Sequence, residues 1–147
     1  MSLSKREING NMASVDFDPD VFGAALRFEC PEVSFALLLG SGRDGRIPSG
    51  GDLDLAVSVE SDFTLALMDR ISVVAQRTLP GVPIDIGCFD RAEPVYRFEA
   101  LKGRLLFARD DERFLNAFSL ACREYENQMY DYERQAGYRL RRGEVAV

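Results

Sequence analysis

Asp52-Leu53-Asp54-Leu55-Ala56-Val57-Ser58-Val59 alternates with a period of two, the side-chain period of a β-strand. Leu53, Leu55, Val57 and Val59 point one way, towards a core. Asp52, Asp54, Ala56 and Ser58 point the other way. Two carboxylates two positions apart leave the strand on one face, where they repel each other unless one is protonated or a cation lies between them. Ala56 and Ser58 are small, which predicts room for a ligand on that face. Hard carboxylate oxygens suit Mg²⁺, which keeps its remaining positions for water and phosphate oxygens.

Upstream, Val33 to Leu39 (Val-Ser-Phe-Ala-Leu-Leu-Leu) is apolar with little alternation, as in a central strand covered on both faces. Gly40-Ser41-Gly42 breaks it, and a loop rich in Gly and Arg runs on to Gly51. Glycine lets the backbone approach a phosphate, the following amides can point at it, and the Ser41 hydroxyl can donate to it. Arg43 and Arg46 are candidate phosphate contacts. A helix is expected over Asp20–Glu29, with Val21, Ala24, Ala25 and Phe28 at helical spacing behind Asp18-Pro19.

Downstream, Ser61 or Asp62 is placed to cap a helix running to about Arg77, with the stripe Phe63, Leu67, Ile71 and Val74. Val82 to Phe89 reads as a third strand, with Ile84 and Ile86 on one face and Asp85 on the other. Paired beside 52–59, it lets Asp85 complete an acidic site. Glu93–Leu101 reads as a helix, Arg104–Ala108 as a short fourth strand. A long helix is expected from the acidic cluster Asp110-Asp111-Glu112 to about Gln135, with the stripe Phe114, Phe118, Ala121 or Cys122, Tyr125, Met129 and Tyr132 packed as core. The expected organisation is one domain over 13–136, with a loose tail at 1–12 and a basic, frayed tail at 137–147. The fold class is α/β (α+β): a small mixed sheet with helices on one face and a long C-terminal helix.

The 147 residues contain no histidine, which removes Ser-His-Asp and Cys-His catalysis and His-based zinc sites. Cys30, Cys88 and Cys122 form no CxxC pair and read as reduced thiols, two of them in the core. Asp and Glu outnumber Lys and Arg by 24 to 18, giving a net charge of −6. That balance disfavours generic nucleic-acid binding and fits an acidic pocket that takes a divalent cation. No apolar run approaches the ~20 residues of a membrane span. Met1 to Lys5 lack the apolar segment of a signal peptide, so the expected location is the cytoplasm.

Gly40-Ser41, ten residues, then Asp52-Leu53-Asp54 resembles the Gly-Ser…Asp-x-Asp signature of DNA polymerase β-like nucleotidyltransferases. The likeness is strongest to the minimal nucleotidyltransferase (MNT) family, often encoded beside HEPN-domain toxins as their antitoxins, and extends over nearly the whole chain. Val82-Pro83-Ile84-Asp85-Ile86 resembles that family's third-Asp strand. Glu93-Pro94-Val95-Tyr96-Arg97-Phe98, Gly103-Arg104-Leu105-Leu106-Phe107 and Ala121-Cys122-Arg123-Glu124-Tyr125 resemble its C-terminal part. The resemblance implies a polymerase β-like fold and a Mg²⁺-dependent enzyme that uses ATP or another nucleoside triphosphate.

By the same resemblance, Asp52 and Asp54 hold two metal ions, while Asp85 holds the one nearer the acceptor and helps deprotonate the attacking hydroxyl. Gly40, Ser41, Gly42 and Arg43 grip the triphosphate. The implied acceptor is a hydroxyl of a HEPN toxin, and a homo-oligomer is compatible with the pattern. Two positions depart from the family: Asp44 occupies its arginine slot, and Gly51 stands where relatives carry serine. An extra negative charge beside a triphosphate is unfavourable, which gives weight to an alternative: a catalytically weak or inactive relative that neutralises its partner by binding alone. A small-molecule transferase is disfavoured, because little chain remains for a substrate domain.

Overall fold

A computed structural model describes residues 14–141. The tail expected over 1–12, and residues 142–147 of the basic tail, lie outside the described residues. The elements are β1 (Val15–Asp16), α1 (Pro19–Glu29), β2 (Val33–Leu39), a 3₁₀ turn (Gly40–Asp44), β3 (Arg46–Ile47), β4 (Leu53–Val59), α2 (Leu65–Thr78), β5 (Ile84–Cys88), a second 3₁₀ turn (Phe89–Arg91), α3 (Pro94–Leu101), β6 (Arg104–Ala108) and α4 (Asp111–Arg141).

Four strands form a mixed sheet in the order β5-β4-β2-β6. The β2–β4 and β2–β6 pairs are antiparallel, and β4–β5 is parallel. Parallel neighbours need a crossover, which α2 supplies. β1 and β3 form a separate two-stranded ribbon, pairing Val15 with Ile47 and Asp16 with Arg46. No sequence signal announced that ribbon, because two-residue strands carry no periodicity.

One face of the sheet is covered by α1 and α2. Phe22 and Leu26 of α1 and Leu67, Ile71 and Val74 of α2 meet Ala36 and Leu38 of β2 and Leu53, Leu55 and Val57 of β4. The expected helical layer is therefore present, and a second layer adds to it. On the opposite face Phe35, Leu37 and Ala56 pack with Phe89, Ala100 of α3 and Ala121 of α4. Phe35 is 1% exposed, with its ring edge-on to Phe89 at 5.2 Å and to Phe114 at 5.0 Å.

Several local expectations are corrected. The buried stripe of α1 is Phe22, Gly23 and Leu26, while Val21 and Phe28 face out. Both stripes have helical spacing; a Cβ at Gly23 would stand only 3.1 Å from Leu106 Cβ, so this face can approach β6 closely. The α2 cap is Thr64 rather than Ser61 or Asp62: its Oγ1 accepts from the Leu67 amide at 3.1 Å. Helix α4 continues to Arg141, past the expected end near Gln135 and into the expected basic tail. The aromatic stripe of α4 is core only in part. Phe114 is packed on Phe35 and Tyr125 stacks on Phe98 at 3.9 Å, whereas Phe118 and Tyr132 are exposed.

Phe35→Ala should cost about 3–5 kcal/mol, read as a lower urea midpoint with an unchanged denaturant slope. A loss below about 1 kcal/mol would show that the second helical layer does not depend on this ring.

Candidate active site

Asp54 lies in β4 and Asp85 in β5, and the parallel register pairs them directly. Paired residues of parallel strands project from the same face, so the two carboxylates stand side by side. Asp52 precedes β4 and is exposed, while Asp54 is half-buried. The Asp54 carboxyl is pushed above the ordinary Asp range, first by burial, then by the charges of Asp85 and Asp52, and by a hydrogen bond with Asp85. Among the described residues no Arg or Lys forms an ion pair with any of the three.

The antiparallel register sets Leu39, the last residue of β2, opposite Asp54. Gly40 follows at φ +65°, a backbone conformation that favours glycine, and a side chain there would meet the Asp54 carboxylate at 3.2 Å. The structure thus brings Gly40, Asp54 and Asp85 to one end of three adjacent strands, with Asp52 beside them. Ser41 is exposed at the rim of a hollow of about 560 Å³ that it shares with Asp16, Asp44, Gly45, Arg46 and Pro48.

Other expected site residues make contacts within the fold. Gly42 is buried, and a Cβ there would press on Ile47 Cδ1 at 2.9 Å. Arg43 donates from Nε to Gly40 O at 3.0 Å and from Nη1 to Lys102 O at 3.1 Å, closing the 3₁₀ turn and tying it to the end of α3. Arg46 pairs with Asp16 at 2.8 Å. Asp44 is exposed on the same turn. Ala56 and Ser58, expected to leave room for a ligand, do not: Ala56 is buried under the second helical layer, and the Ser58 hydroxyl donates to Asp90 at 2.8 Å. Among the described residues, the part of this β4 face left uncovered is its Asp54 end.

Tyr96 of α3 is the residue that sequence reasoning missed. Its hydroxyl stands over Gly87, two positions beyond Asp85, and a Cβ on Gly87 would overlap that oxygen and lie 2.8 Å from the ring Cζ. Its phenol is pushed up by burial and then by the nearby charges of Asp85 and Asp54. The glycine at position 87, in the interior of a strand, was the one available signal.

Known structures share this arrangement of elements. A mutant of the toxin–antitoxin complex MntA-HpeT matches with a TM-score of 0.62 at 17% identity, over 81% of this chain and 93% of that one. A toxin–antitoxin structure with AMP-PNP matches at 0.62 and 19% identity, over 81% and 94%. A tri-AMPylated Shewanella oneidensis HEPN toxin in complex with MNT antitoxin matches at 0.58 and 18%, over 81% and 94%. The chain has the polymerase β-like nucleotidyltransferase fold. No protein-family model matches the sequence, and no curated protein matches it.

The donor set suits Mg²⁺ in one particular way. Among the described residues no three Asp, Glu, Cys or His side chains gather as a ready-made metal cage. Two carboxylates in register and a third just outside the strand match a cation that takes one or two protein ligands and completes its shell with water and phosphate.

A raised pKa means that the fold favours protonated Asp54. That contribution is complete at pH values below the unfolded Asp range and is lost as pH rises through the folded-state value. Asp54→Asn should therefore raise the metal-free Tm at pH 7, and the gain should vanish near pH 3, below the ordinary Asp range of about 4. Thermal melts at both pH values check this; a lower Tm at pH 7 would mark the carboxylate as a structural cap.

Proposed function

We propose that this chain is a nucleotidyltransferase that moves AMP from ATP onto a hydroxyl of a HEPN-domain partner, and so acts as the antitoxin of a toxin–antitoxin pair. The observation that carries this reading is the β4–β5 register, which pairs Asp54 with Asp85 beside the Gly40–Asp44 turn. The structural neighbours support it: one holds AMP-PNP, and another is an AMPylated HEPN toxin with its MNT antitoxin.

In this reading Asp54 and Asp85, paired across β4 and β5, would hold Mg²⁺, with Asp52 at the edge of the site to complete the acidic set through the cation's water and phosphate shell. Bound there, Mg²⁺ supplies charge stabilisation for the phosphates and the leaving pyrophosphate. The Gly40–Gly42 backbone and the Ser41 hydroxyl bind the triphosphate, on the β2 side of Asp54. The strand order β5-β4-β2 puts Asp85 on the other side of Asp54, and in this reading the acceptor approaches from there. The acceptor oxygen bonds to the α-phosphorus, the α–β anhydride bond breaks, and pyrophosphate leaves. Asp85 takes the hydroxyl proton, a role that in a chain without histidine falls to a carboxylate.

A second reading, neutralisation by binding alone, rests on the electrostatics of the turn. Arg43 is engaged with the Gly40 and Lys102 carbonyls, Arg46 with Asp16, and Asp44 adds a negative charge. Little positive charge then remains to meet a triphosphate.

Two measurements separate the readings. In calorimetry, ATP should bind tightly with Mg²⁺ and poorly in EDTA, and equal affinity in both would remove the metal from the site. Intact mass should show AMP added to the neighbouring HEPN protein by the wild type. Asp85→Asn keeps the packing of Ile84 and Ile86 and should slow transfer about 10²–10⁴-fold. A wild type that neutralises the partner with no mass change, matched by Asp85→Asn, would establish the binding-only reading.

A further inference from the structure

Asp85 and Gly87 project from the same face of β5, about 6.6 Å apart along the strand. Gly87 lies opposite Ala56 of β4. At that point the sheet surface is a shallow floor of one methyl group and one hydrogen. The Tyr96 hydroxyl fills it, and fits only because residue 87 has no side chain. The phenol oxygen therefore rests beside Asp85, on the flank of Asp54 opposite the Gly40 turn. Tyr96 also lines a hollow of about 410 Å³ with Leu39, Gly40, Arg43, Glu99 and Lys102.

Packing alone does not explain this phenol. A phenylalanine would fill the same layer, and the hydroxyl adds only a polar handle at the edge of that layer. Tyr96 is half-buried, and among the described residues its hydroxyl makes no hydrogen bond and is not one of the buried unpartnered polar atoms, so it stays open towards the site. The acceptors that share its face at this end of the sheet are the carboxylates of Asp85 and Asp54. A free O–H beside a carboxylate that must present one oxygen to a reacting group is placed to orient that carboxylate.

We propose that Tyr96 is a positioning residue of the acceptor side: in the loaded site its hydroxyl donates to the Asp85 carboxylate and fixes the orientation in which Asp85 meets the acceptor's proton. This rests on the nucleotidyltransferase reading and deepens it. Gly87 belongs to the same device, since it alone gives the hydroxyl its seat.

The test uses the full chain with its HEPN neighbour. Tyr96→Phe should lower kcat about tenfold, the range for loss of a hydrogen bond to a liganding group. KM for the partner, affinity for Mg·ATP and Tm should stay at wild-type values. Gly87→Ala should lower kcat in the same way by displacing the phenol. In chain labelled with ¹³Cζ-tyrosine, the Tyr96 resonance should move when Mg²⁺ and a non-hydrolysable ATP analogue are added, and should not move in Asp85→Asn at analogue concentrations that calorimetry shows to saturate that variant. A Tyr96→Phe protein with full kcat, or a resonance that moves equally in Asp85→Asn, overturns the role of Tyr96 alone. A wild type that transfers no nucleotide overturns the transferase reading, and this role with it.

Discussion

The parallel pairing of β4 with β5 sets two carboxylates side by side, and much of the molecule is arranged around that repulsion. Two like charges in register on a half-buried face cost free energy unless a proton or a cation intervenes. Among the described residues no basic side chain answers them. Three arginines of the described residues are engaged elsewhere: Arg43 with backbone carbonyls, Arg46 with Asp16, and Arg104 with Asp20 and the Arg43 carbonyl. The acids are left for something the chain does not itself supply. The structure tolerates the cost because the rest of the sheet is covered by apolar packing on both faces.

That packing also limits where chemistry can occur. The second helical layer takes Ala56 into its core, and Asp90 holds Ser58 and the Val59 amide, each at 2.8 Å, at the far end of β4. Among the described residues, the part of the polar face of β4 left uncovered is its Asp54 end. There β2 contributes a turn with a glycine at positive φ, and α3 contributes a phenol seated over a glycine. The two glycines act by the same physics. Each removes a side chain that would collide with a functional group, Asp54 in one case and Tyr96 in the other.

The long helix α4 shows how one stripe can serve two environments. Its first half, through Tyr125, packs on Phe35 and Phe98, and the Arg97–Glu124 ion pair ties it to α3. Beyond that the sheet layer ends, and Tyr130, Tyr132 and Leu140 are exposed on a helix that continues to Arg141. Helical periodicity reports only that a face exists, and the extent of the underlying layer decides how much of it is covered.

Local signals in the sequence suffice for the three central strands, the four helices, and the placing of Asp54 on the face opposite Leu53 and Leu55. Those features follow from periods of 2 and 3.6 residues and from glycine and proline punctuation, all of which are local. The sequence also carried Asp85 as the lone acid among apolar neighbours. The tertiary structure decided what depends on partners distant in the chain: the β5-β4-β2-β6 order and register that seat Asp85 against Asp54, the β1–β3 ribbon, and the second layer over Ala56. It chose the Phe22 and Leu26 stripe of α1 over the Val21 and Phe28 stripe, because two stripes of equal periodicity differ only in what they meet. It assigned Arg43 to carbonyls at Gly40 and Lys102, the latter 59 residues away. It placed Tyr96 over Gly87, a contact with no local signature, because a side chain's reach across a sheet is fixed by strand register rather than by sequence spacing.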